Sequence, residues 1–153
     1  MSARSGLNSG LTSEPAVANV ESGQDGPRPF YYAMVRALPR VERGEFVNLG
    51  VVLYSQHHDF LACTRHLDPE RLRGLDPQVD LDLVEAVLLG ICSVCEGAPA
   101  AGLIRQQPLR ARFGWLTAPR STVVQTGPVH SGLTSDPAAE LAGLHRRLVL
   151  QPL

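Results

Sequence analysis

Apolar positions are sparse before residue 30 and dense after it. Met1–Pro27 is rich in Ser, Gly, Asn and Glu and has no aromatic residue. A stretch of that kind buries too little surface to offset the entropy of ordering. The pattern predicts a disordered tail over residues 1–27 and a single domain over 28–153, its packed part ending near Val149.

Within the domain, Phe30–Leu38 alternates as a strand does. Arg36 interrupts one of its apolar faces, and Pro39 ends it. Arg40–Glu45 reads as a charged loop. Phe46–Tyr54 is apolar on both faces apart from Asn48 and Gly50, the signature of a central strand. The polar turn Gln56–Asp59 and the run Phe60–Leu67 complete an antiparallel hairpin.

Asp68-Pro69-Glu70 is a helix-start signal, with a cap, a first-turn proline and an acid at the positive end. Asp76-Pro77 repeats it. Val79–Cys95 is the clearest helix, with Val84, Val87, Leu88, Ile91 and Cys95 on one stripe and Gly97 as its stop. Asp80 and Asp82 flank its start and read as capping groups. Gly102–Leu109 reads as loop or edge strand, Arg110–Gln125 as strand-like, and Gly127–Asp136 as irregular. Asp136-Pro137 opens a last helix with Leu141, Leu144 and Leu148 on one face. Strands first and helices after predict an α+β fold: a small antiparallel sheet, N-terminal strands with a hairpin, packed against two main helices.

Charge narrows the function classes. The tail sets Arg4 against Glu14, Glu21 and Asp25, and the other 13 arginines face 12 acids. A near-neutral domain argues against nucleic-acid binding and against a polybasic membrane surface. The chain has no lysine, which excludes Schiff-base chemistry and a phosphate-loop lysine. No signal peptide and no apolar run long enough to span a bilayer is visible, so a cytoplasmic location with free thiols is expected.

Three constellations carry candidate chemistry. The first is Arg43-Gly44-Glu45-Phe46-Val47-Asn48-Leu49-Gly50. Arg43, Glu45 and Asn48 offer an anion or substrate contact, or simply a turn glycine, an Arg–Glu pair and a structural asparagine. The second gathers Arg112, Arg120, Ser121 and His130 around Trp115. Such a set can converge on a phosphate or carboxylate, or stack on a base; equally, Trp115 is core and the arginines are paired at the surface. Ser121 lacks the frame of a nucleophile elbow. The third is Cys63-x-x-His66 with Cys92-x-x-Cys95, four ligands of the kind structural zinc uses. Cys63 and His66 converge only if the third strand ends early. Cys92 and Cys95 lie near a helix C-terminus, where the dipole opposes a thiolate. The simpler expectation is buried free thiols with no metal and no cofactor. His57, His58 and His145 read as surface residues.

Tyr32–Leu53, with its Arg43–Val51 core, resembles the bacterial domain-of-unknown-function family 3037. So does Thr117-Ala118-Pro119-Arg120-Ser121 followed by His130, Gly132 and Asp136-Pro137. The resemblance spans roughly Phe30–Val149. It implies recurrent polar positions at Arg43, Glu45, Asn48, Arg120, Ser121 and His130, no recurrent CxxC, and a HipA-like kinase as a protein partner. Two functions follow as expectations. One is an accessory or regulatory interaction subunit. The other is a small enzyme or binding domain for a phosphorylated or nucleotide-like anion, with Arg43, Arg120 and His130 lining one pocket.

Overall fold

The computed structural model describes residues 26–150. The tail expected over residues 1–27 lies almost wholly outside the described residues. The larger of two compact units comprises Pro29–Gly132 and Pro137–Leu153. The smaller includes Leu133–Asp136, within which the Asp136 amide donates to the Thr134 hydroxyl at 3.0 Å.

The sheet is antiparallel. Its strands β1 (Arg28–Ala37), β2 (Val47–Ser55), β3 (Phe60–Cys63) and β4 (Val124–Thr126) stand in the order β3-β2-β1-β4. His130–Gly132 of β5 (His130–Thr134) also lies along β1. The predicted β2–β3 hairpin is present, closed by the Asp59 amide on the Gln56 carbonyl at 3.1 Å. Gly127 extends β4 past its last residue, its amide donating to the Met34 carbonyl at 2.8 Å.

Helices cover both faces of the sheet. On one face, Leu72 of α1 (Pro69–Leu75), Val84 and Leu88 of α2 (Leu81–Glu96), and Phe113 and Leu116 of α3 (Leu109–Thr117) pack on Val35, Leu49, Val52 and Tyr54. On the other, Leu141 and Leu144 of α4 (Pro137–His145) and Val149 pack on Phe30, Val51 and Leu53. The α+β architecture is as expected. β2 is the central strand, with both faces buried.

A register shift makes this possible. β1 pairs Val35 with Gly50 but Arg36 with Asn48, so β2 carries an extra residue there. Before the bulge, Val47 and Leu49 face the α2 side; after it, Val52 and Tyr54 do. Gly50 sits at the switch. The chain leaving β3 runs on alongside β2 past it in the same register, with the Thr64 amide on the Val51 carbonyl at 2.9 Å and the His66 amide on the Leu49 carbonyl at 2.6 Å. A Cβ on Gly50 would collide with the Thr64 backbone carbonyl, which these bonds hold in place. Only glycine fits here.

Helix ends follow the expected chemistry in most places. Asp68 caps α1 through the Arg71 amide at 3.3 Å, and Asp80 caps α2 through the Leu83 amide at 3.0 Å. Gly97, at φ 69°, ends α2 in a left-handed turn, with the Ala98 amide on the Ser93 carbonyl.

Four local expectations are corrected. Asp76-Pro77 starts no helix, because the Asp76 carboxylate takes the Gln78 amide at 3.0 Å in a turn. The first part of Arg110–Gln125, read as strand-like, lies in α3 (Leu109–Thr117), and much of Gly102–Leu109, read as loop or edge strand, lies in a broken 3₁₀ segment, Pro99–Gln106. The stretch Gly127–Asp136 contains β5. Finally, α4 runs into a π turn at Arg146–Leu150, which widens the helical period. Val149 therefore turns into the core, while Leu148 is exposed.

Gly50→Ala tests this close approach. It is expected to destabilise the fold by about 3 kcal/mol or more, because backbone must move. Urea unfolding of the wild type and the variant measures it.

Candidate functional site

The polar residues singled out in the sequence occupy separate places. Arg43 lies at the end of a 3₁₀ turn, Val41–Arg43, and is exposed. Its Nε donates to Glu45 Oε1 at 2.8 Å. That pairing lowers the proton affinity of Glu45 and raises that of Arg43. Asn48 projects to the α4 side, where Nδ2 donates to the Leu148 carbonyl at 3.1 Å. Its buried Oδ1 has no partner among the described residues.

Arg112 and Arg120 both finish helices. Arg112 Nη1 donates to the carbonyls of Val94 at 2.8 Å and Cys95 at 3.3 Å, and its Nε to the Gln107 carbonyl at 3.1 Å. It thereby satisfies the open end of α2 and ties it to the start of α3. Arg120 does the same for α3, donating to the Trp115 carbonyl at 2.9 Å and the Leu116 carbonyl at 3.2 Å. Its guanidinium also stacks 4.7 Å above the Trp115 ring. His130 is exposed and its ring lies 5.2 Å from that of Tyr32, which packs on the α4 side of the sheet.

A concavity lies on the other side. A groove of about 750 Å³ is bounded by α2, the end of α3 and the segment Arg120–Thr126. Arg120 and Ser121 line it; Arg43, Glu45, Asn48, Arg112 and His130 are not among its lining residues. Its walls are mainly apolar: Leu83, Val87 and Ile91 from α2, Trp115 and Leu116 from α3, Val123 and Val124 from β4 and its approach. Leu83 is 49% exposed and Trp115 48%, so the groove opens to solvent. The single charged side chain in the lining is Arg120.

The groove residues were within reach of sequence reasoning. Leu83 makes α2 apolar beyond the stripe that one core face requires. Val87, assigned to that stripe, stands in the groove wall instead.

Of the candidate zinc set, Cys63 ends β3 and its thiol donates to the Thr64 carbonyl at 3.1 Å, while Cys92 and Cys95 are buried on α2. His66 is exposed and faces His145 instead. Among the described residues no group of three or more His, Cys, Asp or Glu side chains has metal-holding geometry. No single described helix is long and apolar enough to cross a membrane.

The fold and the groove define a small α+β domain with a two-sided sheet and an apolar concavity. The chain belongs to the protein family of unknown function DUF3037, whose model matches residues 32–149. Neither the curated proteins nor the solved structures yield a match to the chain.

Two outcomes follow. Arg112→Ala is expected to cost about 1.5–3 kcal/mol, the loss of charged hydrogen bonds to carbonyls in part-buried positions. Arg112→Lys should recover only part of it, because an ammonium lacks the fork that spans two helix ends; equilibrium unfolding of both variants checks this. Separately, burial and the neighbouring His66 hold His145 below the ordinary imidazole value of 6.5. The unfolded chain then binds this proton more readily, so stability should fall as pH drops below that value. In His145→Gln that component of the pH profile, read by thermal melts, should vanish.

Proposed function

We propose that this protein is an accessory, non-catalytic interaction subunit that acts in the cytoplasm and receives a segment of a partner protein in the α2–α3–β4 groove. The observation that carries the reading is the open apolar groove, with Leu83, Val87 and Trp115 presented to solvent in one concavity. Soluble domains seldom leave such a surface without a use.

The walls specify the occupant. β4 is an edge strand: among the described residues β1 is its one sheet neighbour. The amides of Leu38 and Gly127 bond across to Val123 and Met34, so the backbone groups of alternate residues, Val124 and Thr126, point away from β1. Thr122 Oγ1 donates to the Val124 carbonyl at 2.8 Å, which leaves the Val124 amide and the Thr126 peptide groups on the groove side. An extended segment can add to that edge, seat apolar side chains between α2 and α3, and bring an acidic residue to Arg120. The family resemblance makes a HipA-like kinase the partner to test first.

Trp115, the sole tryptophan of the chain, reports on the groove directly. Binding of a HipA-like kinase lacking its own tryptophans should shift Trp115 emission to the blue. Val87→Glu should weaken the complex about tenfold or more, with the circular dichroism of the free protein unchanged. Full affinity in that variant would overturn the reading. Inorganic phosphate or ATP that raises the melting temperature of wild type but not of Arg120→Ala would favour a small-anion function in its place.

A further inference from the structure

The arginine that interrupts β1 takes no part in the groove or at a helix end. Val35 and Ala37 pack on the α2 side, so Arg36 between them emerges on the α4 side, as Met34 does. It is half-buried. Its guanidinium is held from two sides. The Phe46 ring centroid lies 4.3 Å from Cζ. Gly127 closes in from the end of β4, where a Cβ would fall 2.5 Å from Nη2 and 2.9 Å from Cζ. The Gly127 amide is fixed on the Met34 carbonyl, so the sheet itself sets this approach.

The donors of Arg36 are uncommitted. Among the described residues its guanidinium makes no hydrogen bond and no ion pair, unlike those of Arg112 and Arg120. The residues that the register places beside it are neutral amides, Asn48 on β2 and Gln125 on β4. Both are turned to other partners. Asn48 Nδ2 donates to the Leu148 carbonyl, and Gln125 Nε2 to the Thr122 carbonyl at 2.6 Å. Asn48 Oδ1 remains a buried acceptor without a donor among the described residues. A half-buried cation is costly unless an anion pairs with it.

We propose that Arg36 anchors a binding site for a carboxylate with an amide N–H on the adjoining carbon, the chemistry shared by acylated amino acids and peptide C-termini. The planar fork of an arginine matches a carboxylate with two parallel hydrogen bonds. Phe46 and Gly127 hold that fork in place before the ligand arrives, which reduces the ordering cost of binding. The ligand N–H is the donor that Asn48 Oδ1 lacks, reached directly or through a bridging water. Phe46, 45% exposed, offers an apolar face for the rest of the ligand. Arg36 and Phe46 do not line the groove, so this site stands apart from it.

The test titrates N-acetylglycine calorimetrically into the full chain. N-acetylglycinamide is the uncharged control, and acetyl-trialanine with a free C-terminus is the peptide arm. Both carboxylates should bind and the control should not; the tighter of the two identifies the source. Arg36→Lys should weaken binding about tenfold or more, because the charge stays and the fork is lost. Gly127→Ala should weaken it as well while the melt of the free protein changes little, since the new methyl meets a side-chain end that can swing aside. Arg36→Gln should abolish binding and leave the free protein at least as stable as wild type, which removal of a structural arginine would not do. The proposal is overturned if wild type binds neither carboxylate or binds N-acetylglycinamide equally well. It is also overturned if inorganic phosphate binds more tightly than both, or if binding survives Arg36→Gln.

Discussion

Strand β2 has no solvent face, and the bulge at Gly50 lets it serve two cores at once. Alternation alone would send Val47, Leu49, Val51 and Leu53 to one side. The extra residue divides that set, giving Val47 and Leu49 to the α2 side and Val51 and Leu53 to the α4 side. The chain leaving β3 locks the bulge by running on beside β2 with its backbone close against Gly50. It then turns toward α1, whose cap, Asp68, lies five residues after Cys63.

Arginine does structural work at each helix end where the backbone runs out of partners. Arg112 serves α2 and Arg120 serves α3. In both cases the planar fork reaches more than one carbonyl, a role that suits a chain without lysine. This changes the meaning of an arginine-rich sequence. A guanidinium whose donors are already directed at main-chain oxygens has less to offer a phosphate. The charge of Arg120 still matters at the rim of the groove, where it is held flat over Trp115.

The meander β1–β2–β3 and the long helix α2 were legible in the sequence, because each has a strong period and an explicit cap or turn. α3 was not. Its N-cap is Pro108, which offers no side-chain hydrogen bond; Gly114 interrupts it, and of its residues Phe113 and Leu116 are buried. That helix exists because tertiary packing and Arg112 hold it, and neither is a local signal. β5 was hidden because its side chains are mostly exposed and its Gly132 is shaped by a distant ring, that of Phe30. Leu148 was misplaced because a π turn breaks the helical period on which the stripe was counted. At the site, the chemistry of single residues was readable, but their separation onto opposite faces of the sheet was not. Residue type says what a side chain can bind, whereas the bulge in β2 decides which side it reaches.

The two faces of the sheet are also completed at different times. On the α2 side, α1 and α2 begin within about thirty residues of β2 and α3 follows at Leu109, so that face can start to close soon after the hairpin forms. The α4 side waits for residues more than eighty positions downstream of β2. During synthesis Phe30, Val51 and Leu53 therefore stay bare while most of the chain is made. That half-covered sheet, with one finished face and one sticky one, is the species on which a chaperone would act.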